Sequence, residues 1–167
     1  ILADAGLDGT VRGYVQNPSV ELPPNDRGKL DVGKAVGYNG YLHVVRDVGY
    51  GQPYSSTVSL VSGEVGEGVA SYLVTSEQTP SALLVGVFVG DMGVTAAGGI
   101  LLQIMPKAAR DQSLVELLES RVSQLSGFTP LLQAGKSLQE MMRELLGDLN
   151  LFIFPESHPV SFYCGCS

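Results

Sequence analysis

The sequence predicts an α+β fold: a β-rich core domain with short helices, followed by two amphipathic helices in series. Three observations predict it. Glycine is abundant, 21 of 167 residues, and charged residues are few at 16%, a balance that suits a turn-rich, strand-rich chain. Runs of β-branched and apolar residues bounded by Gly fill the first two-thirds. After Met105-Pro106 the apolar residues switch to helical spacing.

Taken in order, residues 1–5 and 10–17 read as strands joined at "GLDG", where Asp8-Gly9 is hairpin chemistry. The segment "PSVELPPNDRGKLD" is a loop by its prolines and Asn25-Asp26. "GYLHVVRDVG" (40–49) and "SSTVSLVSG" (55–63) are expected strands. In "GEGVASYLVTSEQ", Val69, Tyr72, Leu73 and Ser76 fit a short helix, with Pro80 just beyond its end. "ALLVGVFVG" and "VTAAGGILLQIM" flank the turn Gly90-Asp91-Met92-Gly93 and read as a buried hairpin. Leu114, Leu117, Leu118, Val122 and Leu125 then form one helical stripe, and Leu138, Met141, Met142, Leu145 and Leu146 a second. Each run opens on an expected capping box, Ser113 with Glu116 and Ser137 with Glu140. Gly127 and Gly147 are placed to stop them. The final "LFIFPESHPVSFYCGCS" is extended, because Pro155 and Pro159 bar a helix.

Composition narrows the function. A net charge of −7 disfavours nucleic acid, whose affinity comes largely from Lys and Arg neutralising phosphates. No apolar run is long enough to span a membrane. The start, "ILADAGLDG", has neither Met nor a basic stretch before an apolar one, so it is expected to be a cut end within a strand and not a signal peptide. "PLLQAGKS" (130–137) imitates a phosphate-binding loop. That loop needs Gly where Pro130 stands and a strand before it, so the segment reads as a Gly turn followed by a Ser cap. "GEVGEG" has the wrong spacing for a dinucleotide loop and carries acids that repel pyrophosphate. His43 alternates with Leu42 and Val44 and reads as a paired or exposed strand residue. His158, between Ser157 and Pro159, reads as a solvated loop residue that could add a metal ligand. No nucleophile elbow or zinc-protease helix is present, so no enzyme is expected.

The two cysteines, Cys164 and Cys166 in "FYCGCS", remain. Two thiolates at Cys-x-Cys spacing can grip one soft ion, yet a tetrahedral zinc site takes four donors. Alternatively they can cycle to a small-ring, easily reduced disulfide. Either way the thiolate is the reactive form.

The chain resembles the heat-shock protein 33 family of redox-regulated holdase chaperones. The resemblance rests on "GKLDVGKAVGYNGYLHVVRD", "YLVTSEQTPS", "AAGGILLQIMP" and "VSFYCGCS", in family order along nearly all of the chain. It implies a substrate-binding core over 1–107, N-terminally incomplete, a two-helix linker over 108–150, and the beginning of a zinc and redox-switch domain over 151–167. It further implies that Cys164 and Cys166 are the first pair of a four-thiolate zinc site whose second pair, Cys-x-x-Cys, lies downstream. Oxidation would form disulfides, release zinc and loosen the linker, leaving the stripes Leu114, Leu117, Leu118, Val122, Leu125, Leu138, Met141, Met142, Leu145 and Leu146 as candidates for client binding. The implied partners are unfolded proteins, with room for a homodimer; the implied location is the cytoplasm. One rival is a thiol–disulfide oxidoreductase using Cys164-Gly165-Cys166. Another is an interaction module with incidental cysteines.

Overall fold

Turn chemistry sets the first element pair. In the computed structural model, which describes residues 1–26, 28–124, 128–154 and 156–165, strands β1 (Leu2–Ala5) and β2 (Thr10–Tyr14) form an antiparallel hairpin. Asp8 Oδ1 accepts from the Thr10 backbone N–H at 3.0 Å and from its hydroxyl at 2.7 Å, which holds the Asp8 carboxyl below its usual range. Gly9 follows at φ +82°, a left-handed conformation that favours glycine. Across the ladder Asp4 faces Arg12, 2.6 Å away and exposed.

The chain falls into two units, Ile1–Asp31 with Phe152–Ser167, and Val32–Leu151. In the first, the short strand β3 (Ser161–Phe162) adds parallel to β2, with Thr10 opposite Ser161 and Val11 opposite Phe162. Gly9 is needed here a second time: a Cβ on it would lie 2.2 Å from the Pro159 carbonyl oxygen. Phe152 and Phe154 stack edge to face, centroids 4.9 Å apart.

In the second unit a short helix α1 (Val32–Val36) precedes an antiparallel pair, β4 (Tyr41–Arg46) and β5 (Tyr54–Ser59). Helix α2 (Val65–Glu77) follows and ends at Gln78, which turns left-handed at φ 53°, ahead of Pro80. A long hairpin comes next, β6 (Ser81–Gly90) and β7 (Gly93–Gln103). Its turn uses Gly93 at φ +109°, and a bulge lies between Phe88 and Val89.

The hairpin departs from the buried pair that the sequence suggests. Coverage is partial: Gly86 and Ile100 are buried, whereas Val85, Val87, Val89 and Leu101 are about half exposed. Apolar residues on both faces hide the period of two that would have revealed this.

The helical region also differs. A 3₁₀ turn (Ala108–Arg110) leads into α3 (Gln112–Gln124), and an extra helix α4 (Thr129–Gln133) precedes α5 (Leu138–Leu146). Ser113 does not open α3 with a capping box. Asp111 accepts from the Leu114 N–H and from the Ser113 hydroxyl instead, since it stands directly before the first helical residue, where a capping carboxylate belongs. The second box is present: Ser137 Oγ accepts from the Glu140 N–H, and the Glu140 carboxylate accepts from the Ser137 N–H at 2.8 Å. Gly147 caps α5 as expected. The expected stop at Gly127 and the break at Pro155 fall on residues outside those described.

Candidate functional site

The apolar face of β6–β7 and the helices seated on it carry a cluster of buried side chains packed on one another. Ile100 of β7, Phe128 before α4 and Met141 of α5 make one buried cluster. Leu84, Leu102, Leu131, Leu132 and Met142 pack against it. The seat follows from strand alternation, which puts Leu84 and Gly86 on one side of β6 and Leu102, Ile100 and Gly98 opposite them on β7. On α5, Met141, Leu145 and Leu146 are buried and Met142 half-buried, whereas Leu138 is 59% exposed and stands outside the stripe. On α3, Leu114, Leu117, Leu118 and Val122 are half-buried; Leu125 lies outside the described residues. Sequence reasoning missed Phe128, at 4% exposure among the most buried side chains described. Its signal was Phe128, Leu131 and Leu132 at i, i+3, i+4, with Pro130 at the start of the helix.

Polar contacts tie these helices to each other. Arg121 of α3 donates to the Leu145 carbonyl at 2.8 Å and forms a bidentate pair with Asp148. The cation thus sits at the C-terminal end of α5, where the helix dipole favours it. The pair holds the Asp148 carboxyl below and the Arg121 guanidinium above their usual ranges. Lys136 pairs with Glu144. Among the described residues no hydrogen bond or ion pair of α4 or α5 reaches β6 or β7.

Helix α2 is fastened differently. The buried Tyr72 hydroxyl donates to Glu77 Oε1 at 2.7 Å, and Arg46 of β4 donates to both Glu77 oxygens at 2.9 Å. Burial first, then Glu77, pushes the Tyr72 phenol up to about 12. Its hydroxyl, then Arg46, holds the Glu77 carboxyl below the glutamate range. The Ser56 and Ser76 hydroxyls meet at 2.6 Å.

The thiol lies in the other unit. Cys164 is exposed and follows β3, whose Ser161 N–H donates to the Gly9 carbonyl at 3.0 Å; the Tyr163 N–H donates to Val11 at 3.1 Å. Cys166 lies outside the described residues. Cys164 follows a strand, unlike the helix N-terminus typical of an activated dithiol. His158 is exposed. His43 Nδ1 meets Thr57 Oγ1 at 2.8 Å on an exposed strand face. Among the described residues no three His, Cys, Asp or Glu side chains come together to hold a metal. A closed zinc site takes four donors, so two thiols one residue apart fit half of one and do not complete it. No helix of the described residues is long and apolar enough to cross a membrane.

Comparison with known proteins covers the whole chain. A family model described as Hsp33 protein matches residues 1–167. The 33 kDa chaperonin of Trichormus variabilis is 74% identical over 167 residues, covering all of this chain and 55% of the relative. That of Synechocystis is 71% identical with the same coverage. The crystal structure of the 33 kDa chaperonin (heat shock protein 33 homolog) from Thermotoga maritima superposes with a TM-score of 0.86 at 39% identity, over 99% of this chain and 55% of that one. The chain therefore spans about half the length of the curated relatives it matches.

Proposed function

Since this chain belongs to the Hsp33 protein family, we propose that it is part of an ATP-independent holdase that binds unfolding proteins under oxidative stress. The observation that carries this reading is the seating of α4 and α5. They cover the apolar face of β6–β7 by side-chain burial alone, around Phe128, Met141 and Ile100. Each such side chain contributes roughly 1.5–3 kcal/mol, and ordering the chain opposes it. A contact of this kind docks the linker over 108–150 and still lets go. Release would bare an apolar sheet face together with the faces of the helices, and the flexible Met141 and Met142 can adapt to varied clients.

The switch in this reading is Cys164 with Cys166. Reduced, the pair contributes two of the four thiolates of a zinc site in the whole protein, where metal binding would supply folding energy to the surrounding module. A peroxide oxidises the two thiols to a disulfide. Two electrons would pass from the two thiolates to hydrogen peroxide, which would take two protons from solvent and leave as two waters, with the S–S bond formed as the O–O bond breaks. The location is the cytoplasm, the partners are unfolded proteins and a second copy of the chain, and no catalytic turnover is involved.

The test is light scattering from an aggregating client, with the full-length protein reduced or oxidised. Suppression only after oxidation supports the reading; equal suppression in both states overturns it. The rival oxidoreductase would reduce insulin disulfides with turnover, whereas a holdase would not.

A further inference from the structure

Gly86 and Gly98 stand directly opposite each other across the β6–β7 ladder, on the face that carries the linker. A methyl group added at Gly86 would lie 2.9 Å from Thr129 Oγ1, 3.0 Å from its backbone N and 3.2 Å from its Cα. One added at Gly98 would lie 3.2 Å from Leu132 Cδ2 and 3.3 Å from Phe128 Cε1. The first turn of α4 therefore meets sheet backbone at a place where no side chain intervenes. Neither glycine has a positive φ, so neither is needed for the strand conformation. In the middle of a strand, glycine weakens the ladder and packs nothing. What two facing glycines do supply is a notch one residue wide on each strand, into which α4 fits.

We infer that the Gly86–Gly98 pair is the steric seat of the linker, an autoinhibitory contact whose depth sets how readily α4 leaves the sheet. The inference rests on the proposed holdase reading and concerns regulation of that same surface. Elsewhere on the hairpin the helices meet side chains that can shift. At the notch they meet backbone, which cannot, so the smallest added group acts directly on docking. Overpacking of this kind is released most cheaply by the element with no polar bond to the sheet, which is the linker.

The test is amide hydrogen exchange in the full-length reduced protein. The reporters are the N–H groups of Leu131, Leu132, Ala134 and Gly135, all bonded within the α4 turn. Gly86→Ala and Gly98→Ala should each speed their exchange roughly tenfold or more. Amides of α2 should be unchanged. The decisive arm is a size swap, because Gly98→Ala meets only side chains. In a Leu132→Ala background, where the Leu132 methyls are gone and only Phe128 Cε1 still faces the added methyl, Gly98→Ala should speed exchange by clearly less than in the parent, about threefold or below. Gly68→Ala, whose added methyl would have nothing nearer than 3.8 Å, should leave α4 as it is. Unchanged exchange at α4 in Gly98→Ala, or equal acceleration with and without Leu132, overturns the inference. If Gly86→Ala unfolds the whole chain, the Gly98 cycle decides alone. Light scattering of a client by the same reduced variants reads the second layer. Faster exchange with new client protection supports both statements. Faster exchange without it sustains the seat and defeats the proposed role of linker opening.

Discussion

Helix α2 and helix α4 lie on opposite faces of one strand and are held by opposite means. Gly66 of α2 approaches β6 at Leu83 and Val85, while α4 approaches it at Gly86, and alternate residues of a strand point to opposite sides. On the first side, α2 carries directional bonds to the β4–β5 pair and, among the described residues, none to β6: Glu77 to Arg46 of β4 and Ser76 to Ser56 of β5, with Tyr72 holding Glu77 from within the helix. On the second, Phe128, Met141 and Ile100 are held by burial alone, and the ion pairs lie within the helical region: Arg121 of α3 to Asp148 just after α5, and Lys136 just before α5 to Glu144 within it. The difference teaches which side can open. A fully satisfied directional network holds its partners in one arrangement. Apolar seating has no directional bond to break, so it can be left and regained as a unit. Helices α3 and α5 can move together because Arg121 and Asp148 travel with them.

The largest effect should come from the seat itself. Phe128→Ala removes its most buried aromatic side chain and should cost about 3–5 kcal/mol of linker docking. Denaturant titration should show an early transition confined to the helical region, and client protection should appear without oxidant. On the other face, Tyr72→Phe should cost about 1.5–3 kcal/mol, because the bond lost is to a charged acceptor. It should lower the melting temperature without raising client protection. If it activated the protein, the contrast between the two faces would collapse.

The same tyrosine sharpens the comparison through pH. Folded Tyr72 is pushed up to about 12 from 10.0, so its contribution is complete below pH 10. Between pH 10 and 12 the unfolded phenol ionises and the folded one does not, so stability falls, by an amount of order 2 kcal/mol. Glu77 has the opposite sign: its carboxyl is held low, and its contribution is lost as pH falls through the acid range. Melting curves of Tyr72→Phe should lack the alkaline loss. Loss of the cap in Ser137→Ala should cost about 1 kcal/mol, seen as fraying of α5 by circular dichroism. The smallest effect belongs to Arg121→Ala. It should loosen α3 from α5 and reduce the salt dependence of the linker transition, part of which Lys136–Glu144 retains, leaving the docking of α4 intact.

How much of this could be read from residue order follows from the range of each interaction. Local chemistry was legible: the Asp8-Gly9 turn, the Ser137–Glu140 box, the end of α2 before Pro80. So was the helical burial of Leu114, Leu117, Leu118 and Val122 on α3 and of Met141, Met142, Leu145 and Leu146 on α5; Leu138 fits by spacing and not by exposure, and Leu125 lies outside the described residues. Helix α4 was hidden because its five residues share a segment with a phosphate-loop look-alike and give only one helical turn of pattern. The Arg46–Glu77 bond and the parallel pairing of Ser161 with Thr10 join distant positions, and no window of sequence carries them. The facing glycines were visible in "VGVFVG" and "TAAGGI", but their partnership is a matter of register.

The most direct measurement is hydrogen exchange across the full-length protein before and after peroxide. The account predicts that oxidation speeds exchange through α4 and α5 while the amides of α2, behind Tyr72 and Glu77, keep their protection. Loss of protection in α2 first, or an oxidised protein whose α4 and α5 stay as protected as the reduced one, would contradict it.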